Sequence, residues 1–384
     1  MEYDLSEEER ALQAMVRDFA DDVVAPRAYE ADRDHTLPLD VVAGMGELGL
    51  FGLPFPEDVG GQGGDLFALG IAIEQLARVD QSIAITLEAA VSLGAMPVHR
   101  FGTAEQRARL LPDLLAGTAL AGFGLTEPDA GSDAGATRTT ARRDGDEWVI
   151  DGAKQFITNS GTLITSFVTI TAVTGERADG REEISTIIVP SGTPGFTVGP
   201  AYDKVGWRAS DTHPLWFEGA RVPAANLLGE QGRGFSGFLQ ILDEGRVAIA
   251  ALATGAALGC LEAALAHARD RVVFGAPLAT RQNAQFTIAR MQARVHTARL
   301  AWHHAARLHG AGRAFAAEAA VAKLVASEAA MDNAREATQL FGGYGFMNEY
   351  PVGRHYRDSK ILEIGEGTSE VQLLVIARSL GLAG

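Results

Sequence analysis

The sequence changes character twice, and its middle block limits the possible folds most strongly. Between about residues 122 and 228, Thr, Val, Ile and aromatic residues alternate with turn residues, whereas both flanks place apolar residues at helical spacing. Alternation indicates half-buried strands, and the 3.6-residue period indicates amphipathic helices. The 384 residues suffice for about two or three domains. We therefore predict an α+β fold, mainly α, comprising an N-terminal helical domain (1–120), a middle antiparallel β-barrel-like domain (121–230) and a C-terminal four-helix bundle (231–384).

Capping and turn residues locate the individual elements. Ser6 and Glu9 form the S-x-x-E capping pattern before an amphipathic run that ends ahead of Pro26. Asp144-Gly145 and Asp151-Gly152 bracket the strand DEWVI as predicted turns. FVTITAV, ISTIIVP, FTVG and PLWFEGARV are predicted as further strands. Other helices are expected at residues 38–48, 66–79, 83–101, 104–116, 235–272, 282–308, 314–340 and 361–380.

Charge and cysteine usage exclude several classes of function. The net charge of −16 does not attract nucleic acid, and an anionic ligand would need a local Arg cluster or helix N-termini. The single cysteine, Cys260, cannot form an intrachain disulfide and is expected as a small buried residue. The N-terminus lacks a signal-peptide pattern, and no stretch approaches ~20 uncharged apolar residues. We expect no membrane span and a cytoplasmic location.

Common cofactor and catalytic motifs are absent or out of context. Gly232, Gly234 and Gly237 satisfy G-x-G-x-x-G, but no strand precedes them and helices follow, so a flexible helix entry is expected. No P-loop, H-E-x-x-H or G-x-S-x-G motif occurs. His303 and His304 are adjacent and face different sides of a helix, so no metal site is expected.

Two segments combine glycine with polar residues and are candidates for a catalytic or ligand-binding site. Residues 121–133 join an apolar wall, hydroxyl groups and a turn at Pro128. Farther on, Glu366 lies between two glycines that leave room for a flat ligand, and Thr368 and Ser369 are placed to cap the next helix. The first segment could be a domain-boundary turn, but such a turn does not need an apolar wall, Thr and Ser together. For the second segment, the residues alone leave a helix-entry turn with an exposed carboxylate and a catalytic carboxylate equally open.

Ordered motifs give the chain a specific resemblance. L-T-E-P-x-A-G-S-D occupies residues 125–133, an aromatic followed by I-T-N occupies 156–159, and R-x-x-F-G occupies 271–275. Q-x-F-G-G-x-G-[FY] occupies 339–346, and R-D-x-K-I and E-G-T-S-E occupy 357–361 and 366–370. With these motifs in order over essentially all of its length, the chain resembles the FAD-dependent acyl-CoA dehydrogenases, whose three-part fold agrees with the pattern above.

The resemblance implies α,β-dehydrogenation of an acyl-CoA thioester to the trans-2-enoyl-CoA, as in fatty acid β-oxidation. Glu366 would abstract the α-proton while hydride moves to flavin N5. The backbone N–H of Glu366 and a ribityl hydroxyl would stabilise the developing enolate. Burial would raise the pKa of Glu366 and suit it to its task.

Contacts follow from the resemblance position by position. The substrate would contact Ser132, Asp243, Arg246 and Gly367. The electron acceptor would be an electron-transfer flavoprotein, and the oligomer would be a homotetramer in which subunits share FAD sites. The cofactor would contact Phe123, Leu125, Thr126, Gly131, Ser132, Phe156, Ile157, Thr158, Thr368 and Glu370, and from a neighbouring subunit Arg271, Phe274, Gln282, Gln339, Gly342 and Gly343.

Some positions depart from the family's pattern. Gly365 replaces a frequent Tyr or Phe and would widen the pocket beside the thioester, and Val273 replaces a polar residue and would remove a flavin contact. Phe156 replaces a frequent Trp. Some branched-chain members carry the base at the position of Gly245, which has no carboxylate, and Glu244 should point away.

Two alternatives stay open at this stage. One is an acyl-CoA oxidase-type flavoenzyme, in which O2 replaces the electron-transfer partner on the same scaffold. The other is a non-catalytic module that binds acyl-CoA or a partner. The preferred acyl group also stays open.

Overall fold

Helices form the first part of the chain. The computed structural model describes residues 5–177 and 180–382. The predicted capping box is confirmed: the Ser6 hydroxyl accepts from the Glu9 N–H (3.1 Å), and the Glu9 carboxylate accepts from the Ser6 N–H (2.8 Å). The helices are α1 (Glu7–Phe19), α2 (Ala25–Asp34), α3 (Leu39–Glu47), α4 (Leu66–Val79), α5 (Gln81–Glu88), α6 (Met96–Phe101) and α7 (Ala104–Leu115).

The helix predicted over 83–101 is interrupted. α5 ends at Glu88, a π-helical segment covers Ala89–Ala95, and α6 follows. A π-helical turn inserts into the ordinary i→i−4 ladder and is frequent at functional sites. Apolar periodicity does not reveal it, because nearly every side chain in this stretch is buried. The interruption falls directly after the buried carboxyl of Glu88.

An eight-stranded sheet forms the middle of the chain. The strands are β1 (Leu120–Gly124), β2 (Thr140–Asp144), β3 (Glu147–Thr158), β4 (Thr165–Glu176), β5 (Glu182–Pro190), β6 (Phe196–Val198), β7 (Thr212–Pro223) and β8 (Leu227–Leu228). Their order in the sheet is β6-β7-β3-β2-β4-β5-β8, with β1 pairing with β4. Most neighbouring strands are antiparallel as predicted, but β1 runs parallel to β4, and a parallel contact also joins β2 to β4.

The two Asp-Gly pairs behave differently. Gly145 (φ +62°) turns the β2–β3 hairpin, as predicted. The turn predicted at Asp151-Gly152 is wrong, because Gly152 lies inside β3 at a register shift in its pairing with β7. A Cβ there would lie 2.5 Å from the Thr139 hydroxyl oxygen. This glycine therefore permits a bulge and a close approach rather than a chain reversal.

Long helices return after the sheet. The elements are α8 (Gly234–Asp270), β9 (Val272–Val273), β10 (Ala276–Pro277), α9 (Gln282–Gly310), α10 (Ala316–Phe341), α11 (Pro351–Ser359) and α12 (Ser369–Ser379). α10 packs against α8, α9, α11 and α12. The helix predicted at 361–380 is wrong in its first half, because residues 360–368 form a 3₁₀ turn and a loop, and α11 was not predicted.

Close packing accounts for several sequence features. A Cβ on Gly234, at the start of α8, would lie 2.4 Å from the Ser185 carbonyl carbon, so this part of the G-x-G-x-x-G match lets α8 approach β5. Cys260 is buried, as predicted. His303 packs edge-on against Phe67, and burial lowers its pKa to about 3, as expected of a core histidine.

Within the described residues, two helical stretches are long and apolar enough to cross a membrane. They are Gln81–Phe101 and Gly234–Asp270, with mean hydropathy 1.3 and 1.8. The protein itself buries 89% and 83% of these windows. Packing against the protein's own elements therefore accounts for their apolar composition.

Candidate active site

Glu366 lies in the loop between the 3₁₀ turn Lys360–Glu363 and α12. Its φ of +53° is unusual for a residue with a side chain, and such strain persists only where neighbouring groups hold it. The next residue, Gly367, has φ +92°. Thr368 caps α12 by accepting from the Val371 N–H (3.4 Å), as its sequence position predicted. The backbone thus turns sharply at the proposed base.

The carboxylate of Glu366 points into the protein. The residue as a whole is half-buried, but Oε2 is buried and accepts no hydrogen bond from an N–H or hydroxyl group of the described residues. A Cβ built on Gly245 of α8 would lie only 2.3 Å from this Oε2. The carboxylate therefore occupies the space that the missing side chain of Gly245 leaves free.

Three side chains from different helices influence the pKa of this carboxyl group. Burial raises the pKa of Glu366, while a hydrogen bond from Glu88 of α5 and the charges of Lys323 of α10 and Arg246 of α8 oppose that rise. Burial disfavours a charged carboxylate, and nearby cations favour it. The balance is a raised pKa, as the sequence analysis expected for a general base.

Glu88 is a site residue that the sequence analysis missed. It is fully buried, and neither carboxyl oxygen has an N–H or hydroxyl partner of good geometry within the described chain. Ser92, one turn onward, acts to lower the pKa of Glu88. Burial, and next the charge of Glu366, raise the pKa of Glu88 well above its usual range. Two adjacent buried carboxyls cannot both ionise readily. Because the pKa of Glu88 is the more strongly raised, we expect Glu88 to keep its proton and to donate a hydrogen bond to ionised Glu366.

A weak sequence signal for Glu88 exists. The residue lies within the run Ile-Thr-Leu-Glu-Ala-Ala-Val, where every neighbour faces the core. A carboxylic acid in such a run is almost never fully buried without a partner. The sequence marks the anomaly, but the partner is 278 residues farther along the chain, at Glu366.

The alternative base is turned away, as predicted. Glu244 pairs with Arg100 of α6, and His309 of α9 lies 3.3 Å from the same carboxylate oxygen. Gly245 has no side chain. The remaining carboxylate in this part of α8 is that of Asp243, whose Oδ1 lies 2.5 Å from a guanidinium nitrogen of Arg246. Burial raises the pKa of Asp243, and Arg246 opposes the rise.

The predicted substrate contacts fall into two places. Asp243, Arg246 and Gly367 lie around the Glu366 loop and α8, and the buried Nε of Arg246 has no partner among the described residues. Ser132 lies instead on the exposed loop after β1. Phe123 of β1 stacks on Phe238 of α8 with ring centroids 3.8 Å apart. This contact fixes the sheet against the helix that carries Asp243.

The first group of predicted FAD contacts lies at the ends of β1 and β3. The Gln155 N–H donates to the Thr126 carbonyl (2.9 Å) and joins the two segments. Phe156 is 61% exposed with φ +62°. The Ile157 side chain is buried in the core of the sheet, so any contact it makes with a ligand would come from its backbone. Leu125 and Thr158 are half-buried.

These residues fit a flat aromatic cofactor with phosphates. An exposed aromatic ring held in a strained backbone is typical of a ligand site. The hydroxyls of Thr126, Ser132 and Thr158 form no hydrogen bond within the described chain, so their donors are free for a ligand. A Cβ on Gly131 would meet no atom within 4 Å, so open space lies beside this backbone.

A buried ion pair supports this region from behind, and the sequence analysis did not predict it. Lys154 is fully buried, and its Nζ donates to the Glu127 carboxylate (2.7 Å) and to the Thr171 hydroxyl (3.0 Å). Burial lowers the pKa of Lys154 to about 8. Glu127 also accepts from the N–H groups of Arg138 and Thr139. The L-T-E-P loop is thereby held to β3 and β4.

The second group of predicted FAD contacts lies around the β9–β10 hairpin, the start of α9 and the end of α10. Phe274 is 99% exposed with φ +48°, and Arg271 lies over the Tyr344 ring at 5.8 Å. Among the described residues, no hydrogen bond, ion pair or ring contact connects this group to the first. A Cβ on Gly342 or Gly343 would meet open space. Also exposed are Gln282 and Gln339 here, and Glu370 at the start of α12.

The departures from the family's pattern have structural counterparts. A Cβ on Gly365 would make only ordinary contact with Ile361, at 3.5 Å, so space remains beside this residue. That this space widens the pocket beside the thioester stays a prediction. Val273 lies in the β9–β10 hairpin and is half-buried, where its carbonyl accepts from Arg281. Whether a flavin contact is lost there stays a prediction.

Comparisons with known proteins agree over the whole chain. Family models match residues 6–118, 122–220 and 232–381, described as the N-terminal, middle and C-terminal domains of acyl-CoA dehydrogenase. The chain is 49% identical to the probable acyl-CoA dehydrogenase YngJ of Bacillus subtilis, covering 99% of this chain and 100% of the relative.

Solved structures give the same result. Butyryl-CoA dehydrogenase from Megasphaera elsdenii has a TM-score of 0.95 at 40% identity, over 99% of this chain and 100% of that one. A glutaryl-CoA dehydrogenase from Mycobacterium smegmatis in complex with FADH2 has a TM-score of 0.93 at 34% identity, over 98% and 95%. Both similarities extend across the helical and sheet regions.

Proposed function

Because this chain belongs to the acyl-CoA dehydrogenase family, we propose that it oxidises an acyl-CoA thioester between Cα and Cβ with Glu366 as the base. The observation that carries the proposal is the position of the Glu366 carboxylate, buried against Gly245 with no N–H or hydroxyl donor on Oε2. A carboxylate in this state is a stronger base than one in water.

The chain's own groups prepare this base. Glu88 keeps a proton beside Glu366 and so satisfies one carboxylate oxygen without adding a second charge. Lys323 and Arg246 balance the remaining negative charge. The Glu366 backbone N–H would donate to the thioester oxygen and stabilise charge that develops there as the α-proton leaves.

FAD is the cofactor that we propose for the site. Bound FAD would supply the acceptor for the hydride that leaves Cβ. Leu125, Thr126, Phe156 and Thr158 would hold the ring, since they combine an exposed aromatic with unpaired hydroxyls. A family member described in complex with FADH2 has the same fold, which supports this assignment.

A short acyl chain is the substrate that we propose. The whole-length similarity to butyryl-CoA dehydrogenase supports this choice. Asp243 and Arg246 would contact the thioester end beside Glu366. We propose an electron-transfer flavoprotein as the acceptor and a homotetramer as the assembly, since the exposed ring of Phe274 and the open space beside Gly342 and Gly343 leave the second group of FAD contacts available to another subunit.

Anaerobic flavin bleaching tests the proposal. Holoenzyme would be titrated with butyryl-, octanoyl- and palmitoyl-CoA, and bleaching should be fastest with butyryl-CoA. Glu366→Gln should retain FAD but lose bleaching by several orders of magnitude. Glu363→Gln, a matched change in the adjacent 3₁₀ turn, should bleach like the wild type. Bleaching by Glu366→Gln would show that another group is the base.

Aerobic turnover separates a dehydrogenase from an oxidase. Peroxide formation should be far slower than reduction of an artificial dye by the same enzyme. Equal rates would favour O2 as the acceptor and would remove the need for an electron-transfer flavoprotein.

A further inference from the structure

Lys323 is a fully buried lysine whose environment is unusual. It lies on α10, and among the described residues its Nζ has no carboxylate within ion-pair distance. Lysine is almost never fully buried unless it is paired. Its Nζ instead donates to the Gly367 carbonyl (2.8 Å), directly after Glu366. The buried ammonium group of Lys323 is therefore hydrogen-bonded to the backbone directly after the proposed base.

The Gly367 carbonyl is held from two sides. The Gln372 side chain, also fully buried, donates to the same oxygen at 2.8 Å. Gln372 Nε2 lies 3.5 Å from the Glu366 carbonyl as well. Two consecutive residues with positive φ precede α12 here, and such a backbone needs external hydrogen bonds to persist. Lys323 and Gln372 supply them.

A neighbouring residue on α10 provides a comparison. Ser327 lies one turn after Lys323 and is fully buried. Its hydroxyl lies within hydrogen-bond distance of the Lys323 carbonyl (2.7 Å) and of the Leu362 carbonyl (2.9 Å) in the 3₁₀ turn before the loop. Its role is confined to holding the chain, because its hydroxyl carries no charge. Lys323 makes an equivalent contact at a greater desolvation cost. The additional property of Lys323 is its charge.

The charge of Lys323 acts on the carboxylates of the site. The groups that act on Lys323 are Glu366, Arg246 of α8, Glu363 of the 3₁₀ turn and Glu370 of α12. Burial lowers the pKa of Lys323 to about 8, while Glu366 acts to raise it. The groups that act on Glu366 are Glu88, Lys323 and Arg246. Lys323 is therefore largely protonated at neutral pH and lies where Glu366 needs a counter-charge.

We propose that Lys323 is a positioning residue for the reaction: it fixes the Glu366–Gly367 backbone from α10 and supplies the positive charge that keeps the Glu366 carboxylate ionised beside protonated Glu88. The part of this inference that concerns rate rests on the proposed function. The part that concerns charge is independent of any substrate.

A pH profile separates the charge from a structural role. The positive charge of Lys323 acts to lower the pKa of Glu366, so Lys323→Met should move the half-maximal pH of bleaching upward. Ser327→Ala, which removes an uncharged hydrogen-bonding group between α10 and the 3₁₀ turn, should lower the melting temperature without moving the profile. Lys360→Met, which removes an exposed charge near the same loop, should also leave the profile in place.

Lys323→Gln covers the case in which Lys323→Met does not fold. It keeps a hydrogen-bond donor without a charge, so it should show the same upward shift with a smaller loss of rate. A wild-type profile in folded Lys323→Met or Lys323→Gln would overturn the proposal. Failure of the wild type itself to bleach would instead count against the proposed function.

A double-mutant cycle gives a readout without substrate. Melting temperatures of the holoenzyme at neutral pH would be compared for the wild type, Lys323→Met, Glu366→Gln and the double variant. Lys323→Met should cost more stability in the wild-type background than in the Glu366→Gln background, because only the carboxylate requires the counter-charge. Equal losses in the two backgrounds would contradict the electrostatic role.

Discussion

Replacing Gly245 with Ala tests the geometry of the base directly. The added Cβ would lie 2.3 Å from Glu366 Oε2, whereas non-bonded atoms ordinarily approach to about 3.5 Å. The carboxylate must therefore move by about 1 Å. The obstacle is the end of a flexible side chain rather than backbone, so the fold should accommodate the change.

The size of the effect follows from that displacement. A misplacement of about 1 Å at the reacting groups costs about 10²-fold in rate, or roughly 2.7 kcal/mol in the barrier. Stability should move the other way, because Ala is favoured over Gly in a helix interior by about 1 kcal/mol. Gly245→Ala should therefore be as stable as the wild type or more so, and about a hundredfold slower.

The assay is single-turnover flavin bleaching with saturating acyl-CoA, alongside thermal unfolding. Gly237→Ala is the matched control: it lies on the same helix, and its added Cβ would meet only the Phe101 ring at 3.4 Å. That variant should keep the wild-type rate. If Gly245→Ala bleaches at the wild-type rate, the carboxylate does not work from its position beside Gly245.

Three further variants test other parts of the structure. Because the pKa of Glu88 is raised in the folded protein, folding takes up a proton, and the stability of the wild type falls as pH rises from 4.5 toward the raised pKa. The melting temperature of Glu88→Gln should therefore rise relative to that of the wild type as pH rises. A difference in melting temperature that does not depend on pH would contradict this. Lys154→Met leaves Glu127 buried without its cation and should cost ~3–5 kcal/mol in urea unfolding, with partial recovery in Lys154→Met/Glu127→Gln; no recovery would mean that packing dominates. Phe274→Ala removes a ring that is 99% exposed, so it should change the free energy of unfolding of one chain by less than about 0.5 kcal/mol. It should nevertheless lower FAD retention and the oligomer mass measured by gel filtration. Unchanged FAD retention would argue against a shared cofactor site.

Local sequence signals located the elements well where a local interaction decides them. The capping box at Ser6 and Glu9, the hairpin at Gly145 and the helix Leu66–Val79 agree with the structure. Each depends on residues within a few positions of one another. The errors came where contacts distant in sequence prevail, as at Gly152, which lies inside β3 with Thr139 packed where a Cβ would be.

The loop that carries Glu366 shows the same limit. Its residues extend a helical pattern back to 361, yet the chain forms a 3₁₀ turn and two left-handed residues before α12 begins at Ser369. Hydrogen bonds from Lys323 and Gln372 hold this conformation. Those donors cannot be inferred from the local pattern, because one of them lies on another helix.

By itself, the sequence determined the three-part architecture, the family and the identity of the carboxylate proposed as the base. These follow from periodicity and from motifs whose members are close along the chain. Only the tertiary structure decided the electrostatic setting of that carboxylate. Glu88, Gly245 and Lys323 come from three helices, and their joint effect on Glu366 arises because burial removes the water that would otherwise screen them.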